Sequence, residues 1–276
     1  MSHVDVNRRV LPGFQLSLGY ALFYVSLLVL LPIGAGVLKA SSLSPAEFWA
    51  AVSSERALAA YRLTVGASVV SAAVNLVLGG LVAWVLVRYH FFGRQLLDSL
   101  VDFPFALPTA VAGLVYSNLF VENGWYGRFL VPLGIEGAYS RLGIVLVLVF
   151  IGFPFVVRTL QPVLEGLDRD VEEASACLGA GRLATFRRVT LPSITPALIT
   201  GFTLAFARSL GEYGSVVFIS GNMPYRTEIA PVLVVNRLEE FAYAEATAVA
   251  VVLLMISFTT LFAINLLERW SKRYHG

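Results

Sequence analysis

Charge is scarce in this sequence. Asp, Glu, Lys and Arg supply 14% of 276 residues, against about 25% in soluble domains, and the mean hydropathy is +0.76. A water-soluble globular fold is excluded, and an integral membrane protein is what remains. The net charge of +2 and the absence of any basic run of five or more residues leave no surface for nucleic acid. Cys177 is the single cysteine, so no intrachain disulfide can form and no Cys/His spacing offers a metal site. His3, His90 and His275 all fall outside the apolar segments. With no H-E-x-x-H or G-x-S-x-G present, neither a metal ligand set nor a catalytic residue for intramembrane hydrolysis can be named. The two lysines, Lys39 and Lys272, stand in GVLKASS and RWSKRYHG. Neither completes the G-x-x-x-x-G-K-[ST] loop that cradles nucleotide phosphates, so this chain does not hydrolyse ATP through such a loop.

What the sequence has instead is long apolar runs. Six approach the roughly 20 residues needed to cross a bilayer: Phe14–Leu38, Thr64–Val87, Leu100–Phe120, Leu142–Gln161, Thr195–Ser220 and Glu245–Leu267. The expected fold is all-α and polytopic, with six transmembrane helices. The first run is too long for a signal-peptide core and is expected to stay as an anchor. Basic residues flanking the spans set orientation. With the N-terminus in the cytoplasm, Arg8, Arg9, Arg88, Arg94, Arg158, Arg169, Arg182, Arg187, Arg188, Arg269, Lys272 and Arg273 lie inside. Lys39, Arg56, Arg62, Arg128, Arg141, Arg226 and Arg237 then lie outside, so the bias puts both termini in the cytoplasm. No internal repeat of the kind that builds many secondary transporters is visible.

Two outer loops carry helical signals. Ser44 precedes Pro45, with Glu47 three residues on, which is the signature of a capped helix start. That helix is expected on the outer membrane surface, with Phe48 and Trp49 toward the headgroups. Ile229–Val235 is too short to span and reads as a short helix or re-entrant turn on the outside.

The most densely charged long stretch is EEASACLGAGRLATFRRVTLP, Glu172 to Pro192. Asp170 can cap a short helix that Glu173 closes from its third position. Gly179 and Gly181, flanking Ala180, suit the left-handed turn that ends such a helix. A second short helix, RLATFRRV, follows with Arg182, Arg187 and Arg188, and Pro192 marks the return to the membrane.

The spacing Glu173-Ala174-Ser175, Gly179, Val189, Leu191-Pro192 resembles the EAA-x3-G-x9-I-x-LP loop of bacterial ABC importer permeases, with Ser175 in place of Ala and Val189 in place of Ile. The segments LPGFQLSLGYALFYVSLLVLLP, DFPFALPTAVAGL, FPFVVRTLQPVLE, FARSLGEYGSVVFISGN and EFAYAEATAVAVVLL are similar to the T-type permeases of bacterial sulfate/thiosulfate importers. The molybdate and tungstate permeases share the RSLGE-x-G segment and stay open as the alternative, with a secondary anion transporter as a more distant one. The resemblance implies a type I ABC importer permease fold. Residues 1–63 would form an N-terminal transmembrane helix and an external amphipathic helix, and residues 64–276 a five-helix core with a coupling loop at residues 168–192. It implies a bacterial inner-membrane location within membrane lipid. The expected partners are a second, W-type permease, two copies of an ABC ATPase that uses ATP and Mg, and a periplasmic sulfate- or thiosulfate-binding protein. The loop residues expected to meet the ATPase are Glu172, Glu173, Ala174, Ser175, Gly179, Ala180, Arg182, Leu191 and Pro192.

A second set of polar residues lies within the apolar runs. Arg208 and Glu212, four apart around Ser209, share a helix face and can neutralise each other. They read either as a buried ion pair or as a gate along the anion path. Pro108, with Pro104, frees backbone groups that lipid could not satisfy. Thr109 is therefore a candidate lining residue, and Asp102 is expected near the cytoplasmic entrance.

Overall fold

The computed structural model describes residues 14–274, with side chains for residues 14–266 apart from residue 169. His3, Arg8, Arg9 and His275 lie outside the described residues, as do the side chains of Arg269, Lys272 and Arg273. Among the described residues every regular element is helical.

The first rod, α1 (Phe14–Ala40), presents its apolar surface outward, with no residue of its most apolar stretch buried within the chain. The outer helix α2 (Pro45–Val52) begins with both halves of the expected capping box, Ser44 and Glu47 each bonding the other's backbone N–H. Phe48 does not face the headgroups: it packs on Ala40, Val52 and Ala248, while Trp49 stays exposed. The apolar floor under Phe48 offers more contact than the interface does.

Next comes α3 (Glu55–Arg88), whose N-cap Ser54 accepts from Ala57 N–H. The expected domain boundary at residues 63 and 64 falls inside this helix. The third crossing is in pieces: α4 (Arg94–Val101), a single turn Phe103–Ala106, and α5 (Thr109–Phe120). The break sits at Pro108, where the preceding Leu107 is extended, with ψ 126°. A proline ring excludes the helical region for the residue before it. The continuous span Leu100–Phe120 is therefore replaced by a broken one.

The fourth long element, α6 (Arg141–Glu165), leads through α7 (Arg169–Cys177) to α8 (Arg182–Leu210). The separate short helix expected over RLATFRRV does not exist, because α8 runs through Pro192 without stopping. The turn Phe186–Thr190 just before Leu191-Pro192 is π-helical, as is Ser26–Leu30 before Leu31-Pro32 in α1. In both, the leucine N–H reaches the carbonyl five residues back. A wider turn accommodates a ring that has no N–H to donate and crowds the carbonyl four residues behind. At its other end α8 stops at Leu210, short of the expected Ser220; the chain turns through residues 211–215 into the single turn Val216–Ile219.

The last helices are α9 (Ala230–Glu239) and α10 (Tyr243–Tyr274). Rather than dangling outside, α9 lies against α10 and α3 and buries Ala230, Val232 and Leu233. Among the described residues five helices, α1, α3, α6, α8 and α10, are long and apolar enough to cross a membrane.

The core is the bundle of α3, α6 and α8. Along α3 the residues Ser68, Ala72, Asn75, Gly79, Ala83 and Leu86 recur at helical spacing on the buried face. Small side chains let backbones approach, which is the main source of helix cohesion in lipid. A Cβ added to Gly79 would lie 3.1 Å from Val156 Cβ, and one on Gly201 of α8 would lie 3.2 Å from Val156 Cα. A Cβ on Gly152 of α6 would fall 2.6 Å from Asn75 Nδ2. These three glycines fix how close the helices come.

Candidate functional site

The charged loop begins at α7. Its N-cap is Asp168, whose carboxylate accepts from Asp170 N–H at 3.0 Å. Asp170 is therefore in the first turn, and Glu173 is not the closing partner of a capping box. Glu173 and Ala174 are exposed, as are Val171 and Leu178, at 51% and 89%. Glu172 points back instead. Its Oε1 meets Arg88 Nη2 at 2.7 Å and accepts from Thr190 Oγ1 at 3.2 Å. Arg88 is the last residue of α3 and also stacks over Trp84. One carboxylate thus ties the loop to the ends of two core helices.

Gly179 makes the turn, with φ +84°, and open space surrounds the position a Cβ would take. Gly181 does not share this conformation: at φ −71° and ψ 159° it is the extended N-cap of α8. Ser175 Oγ lies 3.0 Å from Thr185 Oγ1, bracing α7 against the first turn of α8. Ala180 is half-buried in the turn, and Arg182, Arg187 and Arg188 are exposed beside it. Leu191 and Pro192 sit inside α8, below the loop. The result is an apolar and acidic face on α7 beside a basic face on α8, both open to a partner.

Asp102, expected near the cytoplasmic entrance, is part of a charge cluster. Its carboxylate takes Arg158 Nε at 2.8 Å and Nη2 at 2.5 Å, while Arg158 Nη1 reaches Asp98 at 2.6 Å. The Gln161 amide donates to Asp98 at 3.0 Å. That bond first, and the Arg158 guanidinium second, hold the Asp98 carboxyl below the usual range. The cluster clamps α4 and the foot of the broken span to α6.

The intramembrane residues converge more closely than expected. Arg208 Nη1 and Glu212 Oε2 are 2.5 Å apart, although the helix has already ended between them. The other carboxylate oxygen of Glu212 accepts from Ser215 N–H and Ser215 Oγ, each at 2.9 Å. Ser209 Oγ meets Ser71 Oγ at 3.2 Å, half-way along α3. Thr109 opens α5 against the same turn: a Cβ on Gly214 would fall 2.4 Å from Thr109 Oγ1, and one on Gly113 would fall 2.1 Å from Ser215 O. Pro108 and Thr109, Arg208 and Glu212 therefore belong to one junction, where the break in the third crossing meets the break after α8.

Sequence reasoning missed three features. The Glu172–Arg88 tie links residues far apart in the chain. The Arg158 cluster carried a signal, an arginine inside an apolar run with Asp98 and Asp102 four apart beside a neighbouring run. Asn75 also stood in plain view within a span; it is fully buried and neither side-chain polar atom finds a partner among the described residues.

The described residues thus form a bundle of membrane helices in which the break in the third crossing meets the break after α8, with a two-armed loop presented at one end. Residues 75–273 match the family described as binding-protein-dependent transport system inner membrane component, and the chain belongs to that family. It is 50% identical over 271 residues, covering 98% of each chain, to the sulfate transport system permease protein CysT of Salmonella typhimurium. It is 48% identical to the CysT protein of Escherichia coli, with 98% of each chain covered. For the CysT protein of Synechocystis the identity is 48%, over 92% of this chain and 88% of the relative. Among solved structures it superposes on a bacterial alginate ABC importer with TM-score 0.74 at 16% identity, covering 92% and 94% of the two chains. On the MetNI methionine transporter the TM-score is 0.59 at 17% identity, covering 83% and 99%. The fold is that of an ABC importer permease. The chain is an inner-membrane transport subunit and not an enzyme, and its importer includes an ATPase on a separate chain, a substrate-binding protein and a second permease.

Two outcomes follow from this geometry. Gly179→Val places a β-branched residue in the left-handed region at a cost of about 1–2 kcal/mol. The protein is expected to insert normally yet lose ATPase association in co-purification; normal association and normal coupling of hydrolysis to uptake would remove the loop from the power train. Exchanging Arg208 and Glu212 keeps the pair's charges but aims a guanidinium at the Ser215 N–H. The exchange is expected to lower the melting temperature in detergent as much as Glu212→Ala does, since each leaves the buried Ser215 donors without their acceptor. Wild-type stability in the exchange variant would show that the pair alone matters.

Proposed function

We propose that this chain is the T-type permease of a sulfate and thiosulfate importer, moving the dianion inward by alternating access. The observation that carries this reading is the 50% identity, over 98% of both chains, to a protein named as a sulfate transport permease. Its partners on this reading are a W-type permease, two copies of an ABC ATPase that consume ATP with Mg, and a periplasmic sulfate- or thiosulfate-binding protein. The exposed α7 face, with Glu173, Ala174 and Leu178, seats in a groove of one ATPase, and the Glu172–Arg88 tie passes its movement to α3. Both termini and the loop face the cytoplasm. The need for ATP is physical: moving two negative charges toward an inside-negative potential costs about 4.6 kcal/mol per 100 mV, before any concentration gradient.

Molybdate and tungstate are the competing substrates, since they share charge and tetrahedral shape with sulfate. The test is uptake of labelled sulfate in a deletion strain complemented with this chain, with thiosulfate and molybdate as competitors. Uptake that depends on the chain and yields to excess thiosulfate is expected. Sulfate uptake indifferent to loss of the chain, or restored uptake of molybdate alone, would overturn the substrate.

A further inference from the structure

At the end of the bundle opposite the coupling loop, a cavity of about 470 Å³ opens between α3 and α6. Its walls include Gly66, Val70 and Val145, and its polar lining is Arg62, Arg141 and Tyr225. We propose that this cavity is a loading site for a small tetrahedral oxyanion, held by the paired guanidiniums of Arg62 and Arg141. The inference rests on the reading of this chain as an anion permease and names where the anion first meets it.

The charge pattern at this end carries the argument. Arg56 is matched by Glu228, through Nε at 2.7 Å and Nη2 at 2.6 Å. Arg237 is matched by Glu240 at 2.9 Å and Glu245 at 3.4 Å. Arg62 and Arg141, like Lys39, Arg128 and Arg226, have no carboxylate partner among the described residues, but these two line one cavity. A dianion between them would offset both charges. Arg141 is also aimed. Its Nε donates to the Arg226 carbonyl at 2.9 Å, which leaves both Nη atoms without a hydrogen bond among the described residues. Tyr225 is held beside them at φ +64°, a conformation costly for a non-glycine residue and frequent at ligand sites. All three polar residues are exposed, so an anion can reach them from solvent, and the remaining lining is apolar, which leaves them as the groups that would hold it.

A lipid phosphate offers the same chemistry as free sulfate, so the test separates the two sources. The intact importer, without its binding protein, is placed in nanodiscs of phosphatidylcholine or of phosphatidylcholine with phosphatidylglycerol, and equilibrium binding of labelled sulfate is measured. Saturable binding is expected in both, weakened at least tenfold by Arg62→Ala and by Arg141→Ala and less by the lysine variants. Gly66→Phe supplies a second, charge-neutral variant, because the space a Cβ would enter there is open; it is expected to block binding by filling the cavity. Co-elution with the ATPase on size exclusion checks that each variant assembles. Wild-type affinity in the arginine and Gly66 variants would overturn the site, as would a wild type that binds neither sulfate nor molybdate. Binding abolished by phosphatidylglycerol, with lipid retained only when Arg62 is present, would make it a headgroup site instead. If the wild type binds and imports molybdate but not sulfate, the substrate assignment fails, and the same variants read with molybdate decide the pocket.

Discussion

The close approach of α3, α6 and α8 is the constraint from which the rest of the architecture follows. In lipid there is no gain from hiding apolar side chains, so cohesion comes from backbone proximity, packing and a few polar contacts. Gly79 and Gly201 let two helices close on the buried Val156, and Gly152 makes room for Asn75. Because these positions admit no added carbon without a shift, the three helices form a rigid body. The broken third crossing and the outer helix α9 are then mounted on it by specific clamps, Arg158 with Asp98 and Asp102 at one end and Arg56 with Glu228 at the other.

That rigid body explains how an event at the loop could reach the membrane interior. The loop's second arm is the first turn of α8, which runs without interruption from Arg182 to Leu210 and ends at the Arg208–Glu212 junction. Its first arm is fastened through Glu172 to Arg88 at the foot of α3. On the proposed reading, α7 is joined to α3 through Glu172 and Arg88 and to α8 through the turn at Gly179, so its displacement would reach both. At the far end of α8, the polar junction with Ser215, Gly214 and Thr109 is where continuous helix gives way to turns, and irregular backbone at membrane depth is tolerated only against protein or a watery path.

Much of this was legible in the sequence, because the strongest signals are local. Apolar runs located the crossings, Ser44 and Glu47 announced a capped helix, and Pro108 foretold the break in the third span. The charged stretch from Glu172 to Pro192 marked the two-armed loop between α6 and α8. Errors arose where one local signal had two readings. Pro192 was read as a stop, whereas a π turn lets α8 pass through it. Asp170 was read as the cap, whereas Asp168 takes the role. The Arg208–Glu212 pair was read on helical spacing but forms across a helix end. What sequence could not convey was pairing at a distance: Glu172 with Arg88, Arg158 with Asp98, and Arg62 with Arg141 in one cavity depend on how the bundle closes.

The central claim is that the loop and the foot of α3 move as one piece, and the distance between them under load tests it most directly. Spin labels on Cys177, the chain's single cysteine and exposed on α7, and on a cysteine at Tyr89, just past α3, would report that distance in the assembled importer. The labelled importer must still hydrolyse ATP. The account predicts the same narrow distance distribution in the nucleotide-free and vanadate-trapped states, and a broadened one when Arg88 is replaced by alanine. A distance that shifts by several ångströms between the two states in the otherwise wild-type chain would contradict it.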